Sequence, residues 1–411
     1  MKNRVAAGSD TTGDVEAAFR EAYGKAVSTL VRVFGDISSA EDAVQDAFVV
    51  AAERWPAGGI PANPAGWIVT TARNHAIDTF RRDARGRELQ REMAQPPLGE
   101  QTDMSWESDT VVDDQLRLIF TCCHPALRPE HQIALTLRLL GGLTVDEVAR
   151  SFLISEPAMS KRLTRAKYKI KAANIPYRVP DGAELPARLR TVLTVLYLIY
   201  NAGADRPDGG TLRIESIRLA RELVGLMPDE PEAAGLLALL MLNESRAQAR
   251  WDSGRVVRLK DQDRSLWDSV LIEEGQAIVL RCIRRAQPGP FQIQAAIQAV
   301  HSAASSVEAT DWEQILDNYD RLMKMAPTAV VALNRAIVVG EIHGADAGLE
   351  SIIELEEELA GYHLMYAARG AMLGRLGRRE EAEQAYLKAA ELADGEADRR
   401  FLLEQAAAIC E

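Results

Sequence analysis

Between Glu156 and Ala173 the sequence carries Lys161, Arg162, Arg165, Lys167, Lys169 and Lys171 against the single acid Glu156. Ammonium and guanidinium groups at that density form charge-assisted hydrogen bonds with phosphate oxygens, and an arginine fork can also read a base edge. The same chemistry recurs upstream, where Pro61 to Arg91 holds Arg73, Arg81, Arg82, Arg85, Arg87 and Arg91 against Asp78, Asp83 and Glu88. Asn74 accompanies Arg73, Arg81 and Arg82 beside the apolar row Ile68, Ala72, Ala76 and Phe80, a set of amide and guanidinium donors that could hold unstacked bases and pair with phosphates. A solvated basic helix would carry the same charges without a ligand. Catalytic chemistry has no comparable signal, since no histidine has an identifiable nucleophile partner and no Gly-rich loop ends in Gly-Lys-Ser/Thr. Cys122-Cys123-His124 with His131 is interrupted by Pro125 and Pro129 and lacks a second paired cluster, so helix-end packing explains it better than a metal. Neither an enzyme nor a cofactor is expected.

The elements that would position these groups are helical, because apolar residues recur at spacings of three and four. Leu143, Val145, Val148 and Ala149 predict a short helix capped by Thr144, with Asp146 and Glu147 in the first turn where the helix dipole favours acids. A turn through Phe152, Leu153 and Ile154 leads to a second helix opened by Ser155 and Glu156, with Pro157 at its start. Its expected inner face is Ala158, Met159, Leu163, Ala166 and Ile170, and its outer face is Ser160, Lys161, Arg162, Thr164, Arg165, Lys167 and Lys169. This is the plan of a helix-turn-helix, whose basic second helix enters the major groove. In the upstream module Val27, Leu30, Val31 and Phe34 form one stripe. Ser39 is expected to cap the next helix, with Asp42 approximating a capping box. Ala43, Val44, Ala47, Phe48 and Ala51 would be its buried face, with Glu41, Asp42, Gln45, Asp46 and Glu53 on a solvated one. Pro56 to Pro64 reads as a loop, followed by a helix from near Ala65 or Gly66 through Arg82.

The 411 residues exceed one hydrophobic core, so two or three domains are expected. Hydrophobic residues at 47% and charged residues at 26% fit a folded soluble chain, and no apolar run reaches the length of a membrane span. Four cysteines make no disulfide framework and fit the reducing cytoplasm. Residues 1–13 are polar and expected to be disordered. The net charge of −12 divides unevenly: residues 1–175 hold 22 Lys and Arg against 23 Asp and Glu, and the remainder 26 against 37. Residues 92–112 carry acids but no base, with Pro96, Pro97 and Gly99, and read as a flexible acidic linker. Two basic modules on such a tether suit an extended anion touched at two separated places, and duplex DNA is that ligand.

Several of these segments together resemble a known family. Asp42-Ala43-Val44-Gln45-Asp46 with Phe48, Trp67-Ile68 with Ala72-Arg73-Asn74 and Asp78, and Leu143-Thr144 through Lys167 are similar to the two domains of extracytoplasmic-function sigma factors of the sigma-70 family. The resemblance covers about residues 15–175, and Lys161-Arg162-Leu163-Thr164-Arg165-Ala166-Lys167 closes its strongest part. It implies that residues 14–91 form region 2 and residues 113–175 region 4. By the same resemblance, Asp42, Gln45, Asp46 and Phe48 would dock on core RNA polymerase, and Trp67, Arg73, Asn74, Arg81 and Arg82 would hold a melted minus-ten element. Ser155, Glu156, Ser160, Lys161, Arg162 and Arg165 would read a minus-thirty-five element, with Lys167 on a phosphate. Glu156-Pro157 and Met159-Ser160 depart from the basic residues of many relatives, so base preference does not carry over.

Residues 176–411 repeat. Tyr366, Gly370, Leu373, Gly377, Ala382, Tyr386 and Ala389 follow the large and small positions of a tetratricopeptide helix pair, whose period is about 34 residues. Ala332, Arg335, Ala336 and Val339 parallel Tyr366, Arg369, Gly370 and Leu373, and further units end near Pro327 and Pro228. The expected fold is therefore all-α, with two small sigma domains and a C-terminal helical repeat domain. Tyr200-Asn201, Asp261-Gln262-Asp263-Arg264, Trp267-Asp268 and Gly289-Pro290-Phe291 resemble a sigma subgroup with such a fused domain. That resemblance implies a regulatory role or a protein or peptide partner for the repeats, in place of a membrane anti-sigma protein, and the acidity of the domain suits folding back on the basic helices. A free-standing helix-turn-helix regulator with a sensing repeat domain is the alternative, and a repeat scaffold with incidental basic helices is a third.

Overall fold

The structure, a computed structural model, describes residues 10–74, 108–204, 206–393 and 395–410. The chain divides into two compact units, Met1–Ile199 and Tyr200–Glu411.

The first unit opens with α1 (Asp10–Phe34) and α2 (Ile37–Gly58), which pack together. Gly35, at φ +69°, makes the turn between them. Asp36 caps α2, its carboxylate accepting from the Ser39 amide at 2.8 Å. Ser39 thus lies in the first turn rather than at the cap, because burial of Ile37 draws the helix start forward. Helix α2 continues into the expected loop and stops at Gly59, at φ +82°. Helix α3 (64–74) begins at Pro64, with the Asn63 side chain accepting from the Gly66 amide at 2.9 Å. Leu30, Val44, Ala47, Ile68 and Ala72 form the core of this module. Arg81 and Arg82, and all but the end of the acidic stretch, lie outside the described residues. That end is helical, since α4 (Ser108–Cys122) starts inside it.

Helix α5 (Pro129–Leu135) runs into a π turn (Thr136–Leu140) that buries all five of its residues, Arg138 included. Helices α6 (Val145–Ser151) and α7 (Glu156–Ala172) follow. The thiols of Cys122 and Cys123 are buried, and burial pushes Cys123 up to about 12. Helix α8 (Leu185–Ala204) crosses the division between the units. The first unit extends past the boundary read at 175/176 because Tyr177 and Arg188 are tied into it. Tyr177 Oη lies 2.8 Å from the Ser28 carbonyl and 3.1 Å from that of Asp114, and Arg188 Nη2 donates to the Phe120 carbonyl at 2.5 Å.

The second unit is built from α9 (Gly210–Leu226), α10 (Pro231–Glu244), α11 (Ser269–Arg285), α12 (Pro290–Ala303), α13 (Trp312–Met325), α14 (Ala329–His343), α15 (Ala345–Ile353), α16 (His363–Arg375), α17 (Arg379–Leu392) and α18 (Glu396–Cys410). Helix α10 is apolar around nearly its whole circumference and is buried against α9, α11 and α12, as such a helix must be. Gly235 lets α10 and α12 meet, since a Cβ there would lie 2.7 Å from the Gln292 backbone nitrogen. The expected small-against-large crossing is present in α16 and α17, where a Cβ on Gly370 would meet the Tyr386 ring at 3.0 Å. Successive helix pairs of this kind make the C-terminal part a tetratricopeptide-like repeat. Among the described residues the one strand pairing is a two-stranded ribbon, Trp251–Asp252 with Arg255–Val256, so the protein is all-α in class. No helix among those residues is long and apolar enough to cross a membrane.

Candidate nucleic-acid and polymerase interface

The helix-turn-helix is built as its spacing predicts, with local differences. Thr144 Oγ1 accepts from the Glu147 amide at 3.1 Å while the Glu147 carboxylate accepts from the Thr144 amide at 2.7 Å, a complete capping box on α6. The turn places Leu153 at φ +53° and leaves it 79% exposed, a left-handed conformation that costs a non-glycine residue about 1 kcal/mol. Ser155 stands at the N-cap of α7 but makes no side-chain cap bond. Met159, Leu163, Ala166 and Ile170 are buried, whereas Ala158, expected on the inner face, is exposed because it lies about 100° round the helix from Met159, off that buried row. Ser155, Glu156, Ser160, Lys161, Thr164 and Arg165 face solvent together. Arg162 is half-buried, its guanidinium 5.0 Å from the centre of the Phe152 ring.

On α2, Asp42, Gln45 and Asp46 are exposed, and Gln45 Nε2 donates to Glu41 Oε1 at 3.2 Å. Phe48 is half-buried and stacks on Tyr23, ring centres 5.5 Å apart. On α3, Trp67 stands edge-on to Trp55 at 5.6 Å, Arg73 is half-buried and Asn74 is exposed.

Sequence reasoning missed Glu41 and its consequences. Placed among solvated residues by its spacing, Glu41 is 3% exposed and joins the two modules. Arg138 Nε donates to Glu41 Oε1 at 2.5 Å, and the Lys167 ammonium pairs with Glu41 Oε2. Arg138 also donates to the Leu143 carbonyl at 2.7 Å and lies 5.2 Å from the centre of the Tyr23 ring. Burial pushes the Glu41 carboxyl upward, but the Arg138 guanidinium and Lys167 ammonium outweigh it and hold the group below its ordinary range. A second ion pair, Arg32 Nε to Asp114 Oδ2 at 2.8 Å, joins α1 to α4. The two basic modules are therefore clasped together rather than held apart, and Lys167, expected on a phosphate, is bound to a carboxylate. A hint lay in the glutamate's place directly after Ala40, one residue from the buried stripe, but its partners lie 97 and 126 residues away.

Comparison with known proteins accords with this architecture. Residues 18–86 match sigma-70 region 2, residues 117–170 match sigma-70 region 4, and residues 188–283 match a family of unknown function, DUF6596. An uncharacterized protein of Rhizobium meliloti (strain 1021) is 41% identical over 96% of this chain and 95% of its own length. A probable ECF RNA polymerase sigma factor, SigI, of Mycobacterium tuberculosis is 28% identical over 43% of this chain and 60% of its own. The crystal structure of yeast Tom70 aligns with 98% of this chain and 85% of that one at 10% identity, with a TM-score of 0.37. With both sigma domains in order ahead of a helical C-terminal part, the chain belongs to the extracytoplasmic-function sigma factors of the sigma-70 family that carry a C-terminal helical domain.

Proposed function

We propose that this sigma factor binds core RNA polymerase in the cytoplasm and directs initiation at promoters bearing minus-ten and minus-thirty-five elements. The exposed Asp42, Gln45 and Asp46, with Phe48 braced by Tyr23, form the polymerase-docking face of α2. Trp67, Arg73 and Asn74, joined by Arg81 and Arg82, hold the melted strand. Ser155, Glu156, Ser160, Lys161, Arg162 and Arg165 meet the upstream duplex, with Lys167 on a phosphate. The C-terminal unit regulates activity or binds a partner. The observation that carries the reading is the capped helix-turn-helix, whose α7 buries one face and presents Ser160, Lys161 and Arg165 on the other.

The clasp adds a step. Elements about 25 base pairs apart are separated by about 85 Å along the duplex, whereas a compact unit of about 200 residues has a radius of gyration of about 16 Å. Regions 2 and 4 closed on Glu41 are too near one another to occupy both elements. Opening therefore precedes promoter recognition, with Lys167 exchanging the carboxylate for phosphate oxygens and the docking of α2 on polymerase supplying the competing contacts.

Reconstituted transcription with and without core polymerase tests the reading. A defined start site is expected only with core enzyme, with Asp46→Ala weakening core binding and Arg162→Ala weakening use of the upstream element. Tight operator binding by the free chain, without start-site selection, would sink the reading in favour of a free-standing regulator.

A further inference from the structure

Helix α12 packs with α11 on one side and α13 on the other, and above it the two flanking helices bound a half-open trough of about 940 Å³. Its floor is made small by Ala299 and Ala303 of α12. The α11 wall presents Leu280 and Ile283, which are 53% and 62% exposed although both are large and apolar. The α13 wall presents Arg321 and Lys324, both exposed and without an ion-pair partner among the described residues, and Asp317 is the one acid lining the trough. None of these groups serves the core, which α13 reaches through Ile315 and Leu322 on its other side.

We infer that this trough is a docking site for an amphipathic α-helix of another protein, with an apolar stripe along one side and acidic residues along the flank. The inference deepens the partner-binding reading of the C-terminal unit and rests on it. Each wall runs about three helical turns, roughly 16 Å, which sets the length of the occupant. The floor and both long walls are helical, closed at one end by the Ala286–Pro288 turn, so with their backbone groups bonded internally they offer no sheet edge on which an extended strand could pair. The occupant must satisfy its own backbone bonds, as a helix does. The alanine floor admits its close approach, Leu280 and Ile283 take its apolar anchors, and Arg321 and Lys324, against Asp317 alone on the α13 wall, select carboxylates beside those anchors.

The test uses the full-length protein and two fluorescent, helix-stabilised peptides about four turns long. Both carry leucines at helical spacing and differ only in having glutamates or lysines along one flank. The glutamate peptide is expected to bind about tenfold more tightly than the lysine peptide by anisotropy. The Arg321→Glu/Lys324→Glu variant should invert that order. The Leu280→Ser/Ile283→Ser variant should weaken both peptides about tenfold, and because all four side chains are exposed, thermal midpoints should match the parent. Equal affinity for the two peptides, an order unchanged by charge reversal, or saturable binding of a fatty-acid amphiphile in place of either peptide would overturn the inference. Transcription with core polymerase, measured on the same preparations, reports separately on the sigma-factor reading.

Discussion

Where region 2 meets region 4, a buried carboxylate faces a guanidinium and an ammonium; where α10 meets α12, a glycine faces backbone. In the first contact the cations can turn to phosphate and the carboxylate to water, so a competing anionic ligand offsets much of the cost of separation. The second is mainly close-packed surface whose alternative is exposure to water, with the Glu232 carboxylate at its rim accepting from the Phe291 and Gln292 amides. The difference teaches that the interface between regions 2 and 4 adds exchangeable charged contacts to the packing of Gly24 on Leu140, while α10 and α12 are joined mainly by packing that persists.

The largest effect expected to break this comparison comes from Glu41→Ala. Leaving Arg138 buried without its carboxylate should destabilise the N-terminal unit by about 3–5 kcal/mol, while free DNA affinity rises as Lys167 is released. Thermal unfolding and filter binding check both, and a stable variant with unchanged DNA affinity would mean that the clasp does not gate the recognition helix. Next, Gly235→Val forces a branched side chain into the Gln292 backbone and should cost about 3 kcal/mol in the C-terminal unit alone, read as loss of its unfolding transition. Acid sharpens the contrast with a smaller effect. Burial, with Arg246 and Arg264 nearby, pushes His301 down to about 4. Because the unfolded chain takes up this proton first, stability should fall as pH drops from about 6.5 towards 4, by on the order of 2 kcal/mol, and His301→Gln should abolish that slope. The clasp behaves differently. The folded Glu41 group is depressed, so its stabilisation is complete above the ordinary carboxylate range and disappears only on acidification below it. Calorimetry across this interval, parent against His301→Gln, should therefore show the C-terminal unit losing its His301 contribution while the Glu41 clasp is still intact.

Much of the fold was legible because its determinants are local. The capping box at Thr144 and Glu147, the buried row Met159, Leu163, Ala166 and Ile170, and the glycine-against-tyrosine crossing at Gly370 and Tyr386 follow from spacings within one or two helices. Cap positions were less legible. Asp36 and Ser39 both suit an N-cap chemically, and burial of Ile37 favoured the earlier one. The outer face of α7 was readable as a set, but the division of labour within it was not. Arg162 leans on Phe152 and Lys167 on Glu41 because those partners come from other elements.

By itself, the sequence determined helices, their apolar faces, the helix-turn-helix and the order of the domains, since periodicity and capping act over a few residues and need no distant partner. Only the tertiary structure decided that Glu41 is buried, that Arg138 and Lys167 share it, and that α11, α12 and α13 leave a trough among them. Those outcomes depend on which surfaces remain available after helices far apart in the chain have packed, and the charges that packing brings together can outweigh even the cost of burial, as they do at Glu41.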